Sequence, residues 1–146
     1  MSAVLEVTAT LDNAKVHFSG QAGDNPAIAI DYTPPLGDGA GYLPLELLLV
    51  SLAACSGATV ASLLRRMKKD VAGLRVQARG LRREAHPLSF HTIQLDFHVT
   101  SADAAEADVL KAVQLSEETY CPVWAMLKAS VTIQSSVQLS AGQLAR

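Results

Sequence analysis

From Leu47 to Leu64 the chain runs for 18 residues without a charged side chain, and small or apolar groups occupy every face of the helical wheel. Ahead of this run Pro44 suits a first helical turn and Glu46 complements the amino-terminal dipole; behind it Arg65, Arg66, Lys68 and Lys69 complement the carboxyl end. A helix from about Pro44 to Lys69 is therefore predicted, and a helix without a polar face must be surrounded. A bilayer span needs roughly 20 apolar residues. This run is slightly short and is interrupted by Ser51, Ser56, Gly57, Thr59 and Ser62, so burial in protein is the better reading and no membrane partner is expected. A chain of 146 residues with a few short strands has too little mass to cover every side of such a helix. A second copy is expected to complete the enclosure as a symmetric homodimer.

The rest of the chain reads as short strands and two further helices. Leu5, Val7, Ala9 and Leu11 alternate with polar residues, the period of a strand with one dry face, and Val16 with Phe18 and Ile28, Ile30 with Tyr32 form two more such runs. The segment TPPLGDGAGY is a loop. After the apolar helix, Leu74, Val76 and Ala78 oppose Arg75, Gln77 and Arg79, and Ile93, Leu95, Phe97 and Val99 oppose Gln94, Asp96, His98 and Thr100; the turn REAHPLSF makes the two runs a hairpin. Asp103 and Glu106 have capping-box spacing ahead of a helix of about 15 residues ending near Tyr120. A shorter helix opens at CPVWAML with Pro122 in its first turn, and a last strand places Val131, Ile133, Val137 and Leu139 on one face. Strands and helices are grouped rather than alternating, which favours α+β, and one domain over residues 1–146 is expected.

Composition excludes several function classes. A net charge of -2 offers no general attraction to nucleic acid, and MSAVLEVTATLDN lacks the pattern of a secretory signal, so a cytoplasmic protein is expected. His17, His86, His91 and His98 pair with no cysteine or acid at a metal-ligand spacing, and no phosphate loop, GxSxG elbow or HExxH helix is present. No metal and no cofactor are expected. Two thiols remain, Cys55 inside the apolar run and Cys121 directly before Pro122. They read either as a reversible redox pair or as two unrelated buried thiols. Burial alone raises a thiol's pKa, whereas the start of a helix favours a thiolate, so Cys121 is expected to ionise more easily and Cys55 to need a donor brought by another segment. Tyr120 and Trp124, which flank Cys121, are expected to pack the core, with lining a substrate pocket as the alternative, and His86 with Pro87 to form a structural turn.

PLELLLVSLAACSG followed by a Val/Leu helix ending in basic residues, then DVAGLRVQARG, AHPLSFHTIQLDFHV and LSEETYCPVWAML, resembles the OsmC/Ohr family of hydroperoxide-reducing proteins over about residues 41–135. The resemblance implies an intertwined homodimer, with antiparallel sheets wrapped around long buried central helices and active sites at the subunit interface. It also implies that Cys55 attacks a small apolar organic hydroperoxide and that the resulting sulfenic acid condenses with Cys121 to a disulfide. A dithiol of the dihydrolipoamide type then reduces that disulfide. The best-studied members draw an activating arginine from the amino-terminal strands, where this chain has only Lys15 as a cation, and hold a carboxylate directly after the loop proline, where this chain has Leu45. Glu46 lies nine residues before Cys55, on the opposite side of a helix at 100° per residue, and is read as a cap. Arg75, Arg79, Arg82 and Arg83 are the remaining candidate donors. The alternative reading is a dimeric redox-sensing or ligand-binding module whose thiols oxidise without turnover.

Overall fold

A computed structural model describes residues 3–142, which form two compact units, one through Leu48 and one from Leu49 onward. The first unit is an antiparallel meander of β1 (Thr8–Leu11), β2 (Phe18–Gln21) and β3 (Ile28–Ile30), in that order. Asn13 turns β1 into β2 by accepting the N–H groups of Lys15 at 3.0 Å and His17 at 3.1 Å, a short side chain standing in for a backbone turn. The dry face expected for Leu5, Val7 and Leu11 is open: these side chains are 96, 74 and 51% exposed, and the strand itself starts only at Thr8.

The loop that follows is organised around one buried carboxylate. Asp31 accepts the N–H groups of Tyr32, Asp38 and Ala40 at 2.8, 3.1 and 3.1 Å. Burial raises its pKa, but these three donors outweigh that and hold it below the usual carboxylate value. Position 37 must be glycine for the loop to close, since a Cβ there would overlap Asp31 Oδ1 and the Tyr32 carbonyl.

The apolar run forms α1 (Pro44–Arg66). At its start Glu46 Oε1 accepts the Leu43 N–H at 2.7 Å, the reach-back half of a capping box, as the cap reading expected. It stops at Arg66 rather than Lys69 because Lys68 adopts a left-handed φ of 62°, and the Lys69 N–H folds back onto the Leu64 carbonyl at 2.9 Å. Its buried residues, Leu52, Ser56, Gly57, Val60, Leu63 and Leu64, form one stripe.

The second unit adds a sheet of order β4–β5–β6, built from β4 (Gly73–Arg82), β5 (Phe90–Ser101) and β6 (Thr132–Ala141). β4 and β5 form the expected antiparallel hairpin; β6 joins β5 in parallel, because the chain returns to it through a helical crossover instead of a tight turn. Ile93, Leu95, Phe97 and Val99 of β5 are buried with Val109, Ala112, Val113 and Trp124. α1 packs tightly on β4 at Gly57, where an added Cβ would sit 3.1 Å from Val76 Cγ2.

The crossover begins with α2 (Glu106–Leu115), which packs on β6 and continues as a π-helical turn, Ser116–Tyr120. Its capping differs from the sequence expectation. Asp108, three residues into the helix, accepts the Ala105 N–H at 2.9 Å, while Asp103 lies too far upstream to cap and takes the Asp70 N–H at 2.8 Å. The π turn ends with the Cys121 N–H donating to the Ser116 carbonyl five residues back, at 2.9 Å, and α3 (Pro122–Leu127) starts there.

Candidate functional site

Cys55 sits beside the buried stripe of α1, one residue from Ser56, and is therefore half-buried while Ser56 is fully enclosed. Cys121 is the N-cap of α3 and only 2% exposed. The fold brings these two reduced thiols into one neighbourhood from elements far apart in sequence: the Cys121 thiol and the backbone N–H of Val123 both lie near enough to the Cys55 thiol to shift its ionisation. Cys121 Sγ in turn accepts the Trp124 N–H at 3.4 Å and lies 3.6 Å from the Ser56 hydroxyl. The first turn of α3 thus aims successive N–H groups at the two sulfurs. Trp124, 1% exposed, fixes that turn in the core.

The electrostatics of Cys55 are unfavourable for ionisation. Burial pushes its pKa up, the adjoining Cys121 thiol pushes it further, and the Val123 N–H offsets only part of this. None of the cations considered from sequence is recorded against its sulfur among the described residues. Arg75 and Arg79 alternate with Leu74, Val76 and Ala78 and so face away from α1; Arg79 pairs with Asp96 at 3.2 Å, where Asp96 also accepts from Ser136 at 2.5 Å. Arg82 donates to the Leu88 carbonyl at 2.7 Å, Arg83 is exposed, and Lys15 pairs with Asp38 at 2.6 Å. Glu46 is engaged at the helix start.

Two partners of the sulfurs were missed from sequence. Val123 contributes only its backbone, which no side-chain pattern can signal, and Ser56 looked like one more small residue in an apolar run. Trp124 packs the core as expected. Tyr120 instead follows the alternative reading: the residue is 50% exposed and lines an open groove with Ala58, Thr59, Ser62, Leu63 and Arg66, at the end of the π turn just before Cys121. A second, apolar groove of about 490 Å³ lies between α1 and β4, lined by Val50, Ala53, Ala54, Gly57, Leu74 and Val76 among others. A pair of adjacent thiols, one half-exposed and one enclosed, beside apolar walls can undergo reversible two-electron oxidation.

A family model described as OsmC-like protein matches residues 37–136. Protein YhfA of Escherichia coli (strain K12) is 36% identical over 124 residues, covering 85% of this chain and 90% of YhfA. The crystal structure of a hypothetical protein from Aquifex aeolicus VF5 superposes with a TM-score of 0.86 at 30% identity, covering 97% of this chain and 100% of that one. The organic hydroperoxide resistance protein OhrB of Bacillus subtilis shares the fold at a TM-score of 0.62 and 18% identity, covering 93% and 98% of the two chains.

Proposed function

The chain belongs to the OsmC-like protein family, and from that premise we propose that it is a thiol-dependent peroxidase of organic hydroperoxides, acting as a cytoplasmic homodimer. The observation that carries this reading is the proximity of the Cys55 and Cys121 thiols at the first turn of α3. The Cys55 thiolate attacks the distal peroxide oxygen; the O–O bond breaks, the alkoxide leaves and is protonated to the alcohol, and Cys55 becomes a sulfenic acid. Cys121 displaces hydroxide from that sulfur, giving a disulfide and water, and a dithiol of the lipoyl type restores both thiols by two exchange steps. The half-exposed thiol receives the oxidant and the enclosed one resolves it, which matches their burial. Apolar walls favour a greasy peroxide over hydrogen peroxide and keep the sulfenic acid from a second oxidation.

The dimer is supported by the state of α1. Only about a third of its apolar stretch is buried within this chain, and the open flank includes Val50 and the apolar groove against β4. Exposed apolar surface of this extent belongs at an interface. Sedimentation of the reduced protein as a stable monomer would contradict it.

The decisive test is consumption of cumene hydroperoxide with dihydrolipoamide as reductant. The parent turns over repeatedly, Cys55→Ser does not react, and Cys121→Ser reacts once and then stalls as the sulfenic acid. The raised pKa of Cys55 supports a second reading, a redox-sensing module that oxidises slowly and without turnover; a single stoichiometric oxidation followed by no recycling selects it.

A further inference from the structure

We propose that Ser56 is a positioning residue for the resolving thiol, a role that rests on the peroxidase reading above. A serine hydroxyl in the middle of an apolar helix is expensive to bury without a partner. Ser56 is completely enclosed, and the partner recorded for its hydroxyl is Cys121 Sγ at 3.6 Å. Across the same sulfur stands the Trp124 N–H, which can only donate. The hydroxyl, by contrast, rotates. It accepts from Cys121 while the thiol keeps its proton and donates to the sulfur once that proton has gone, so the thiolate finds two donors in place.

This matters at the step where Cys121 displaces hydroxide from the Cys55 sulfenic acid. The proton leaving Cys121 S–H ends on the departing oxygen as water, and the sulfur must carry negative charge in between. No charged side chain is recorded against Cys121 Sγ among the described residues: from α1 it neighbours Cys55 and Ser56, and from α3 the Trp124 N–H. Nearby in sequence, Glu118 accepts from Gln114 at 3.1 Å and Lys128 donates to the Glu117 carbonyl at 3.3 Å. The neutral hydroxyl supplies what a cation does not. It also fixes the side of the sulfur that is left free to meet Cys55.

Ser56→Ala tests this directly, since it deletes one oxygen and favours the helix. In a Cys55→Ser background Cys121 is the sole thiol, and its ionisation is followed by ultraviolet thiolate absorbance. The hydroxyl's loss cuts the thiolate absorbance read at one fixed pH by about tenfold. In the two-thiol protein, peroxide reduction by Cys55 keeps its rate, while disulfide formation slows by a similar factor and its pH profile moves to the alkaline side. Thr59→Ala serves as control, because that hydroxyl bonds the Cys55 carbonyl at 3.0 Å and neither sulfur. An unchanged thiolate absorbance in Ser56→Ala overturns the proposal, as does an equal slowing of both steps with an unshifted profile. The absorbance measurement uses no peroxide, so it decides the role of Ser56 even if the parent protein fails to turn over.

Discussion

Oxidising the two thiols should make the folded protein markedly harder to unfold. Joining Cys55 to Cys121 closes a loop of about 65 residues, and the chain-entropy treatment assigns a loop of that size about 4 kcal/mol of stabilisation at 25 °C. The thiols already influence one another in the reduced protein, so a modest approach of the two sulfurs forms the bond. What is given up is the pair of contacts on Cys121 Sγ, from the Trp124 N–H and the Ser56 hydroxyl, together worth about 1 kcal/mol. The net gain is about 3 kcal/mol. With an unfolding entropy of about 2 cal/mol/K per residue, a chain of 146 residues gains about 10 °C in midpoint. Scanning calorimetry at one fixed protein concentration, on reduced protein and on protein oxidised with one equivalent of cumene hydroperoxide, measures this, and intact mass verifies the loss of two hydrogens. Cys55→Ser should show no shift. An oxidised protein that melts at or below the reduced midpoint would refute the argument, because it would mean that the sulfurs bond only after the native core has been disrupted.

Three further outcomes are expected. Trp124→Ala removes a fully buried side chain and should cost about 3–5 kcal/mol, a fall of roughly 10–15 °C by thermal melting; a loss of only a degree or two would show that Trp124 does not hold α3 in place. Cys121→Ala removes two of the three influences that raise the Cys55 pKa and keeps the Val123 donor, so the alkylation rate of Cys55 should begin its rise at lower pH than in Cys121-containing protein; a rise at the same or higher pH contradicts that assignment. Asp31 has a depressed folded pKa, so its contribution is present above the unfolded carboxylate value near 4 and is lost as pH falls through the folded value. Asp31→Asn should therefore lower stability at neutral pH and flatten the acid limb of the stability curve, as followed by urea titration at a series of pH values.

Elements with strong local patterning were legible in the sequence, and long-range placements were not. Alternation located β4 and β5 to within a residue or two, and the charge-free run with its capping residues located α1, because these signals depend on neighbours in the chain. The alternation of Leu5 with Val7 was equally clear, yet both lie outside β1 and are exposed, since periodicity names a face without supplying what covers it. Parallel pairing of β6 was hidden because register depends on the crossover. At the site, sequence supplied the two thiols and the doubt over activating charge. It could not supply Val123, whose contribution is a main-chain N–H, or choose between core and groove for Tyr120, which lies at the end of the π turn before Cys121.

The way Cys55 is served follows from where it lies. A buried cation beside it would stabilise the thiolate strongly but would have to shed its own hydration, a cost that the Coulomb attraction repays only with near-ideal geometry. Backbone N–H groups at the start of α3 are dipolar and are already out of water, so they stabilise a thiolate less but add no second charge to bury. A weaker donor leaves a higher pKa, and the same high pKa makes the small thiolate fraction more nucleophilic, with roughly half of each lost power of ten in concentration returned as rate constant. Reactivity in such a site therefore depends on position more than on charge. The position is set by α3, a helix of six residues too short to hold itself, which borrows its order from Trp124 on one side and the π turn on the other.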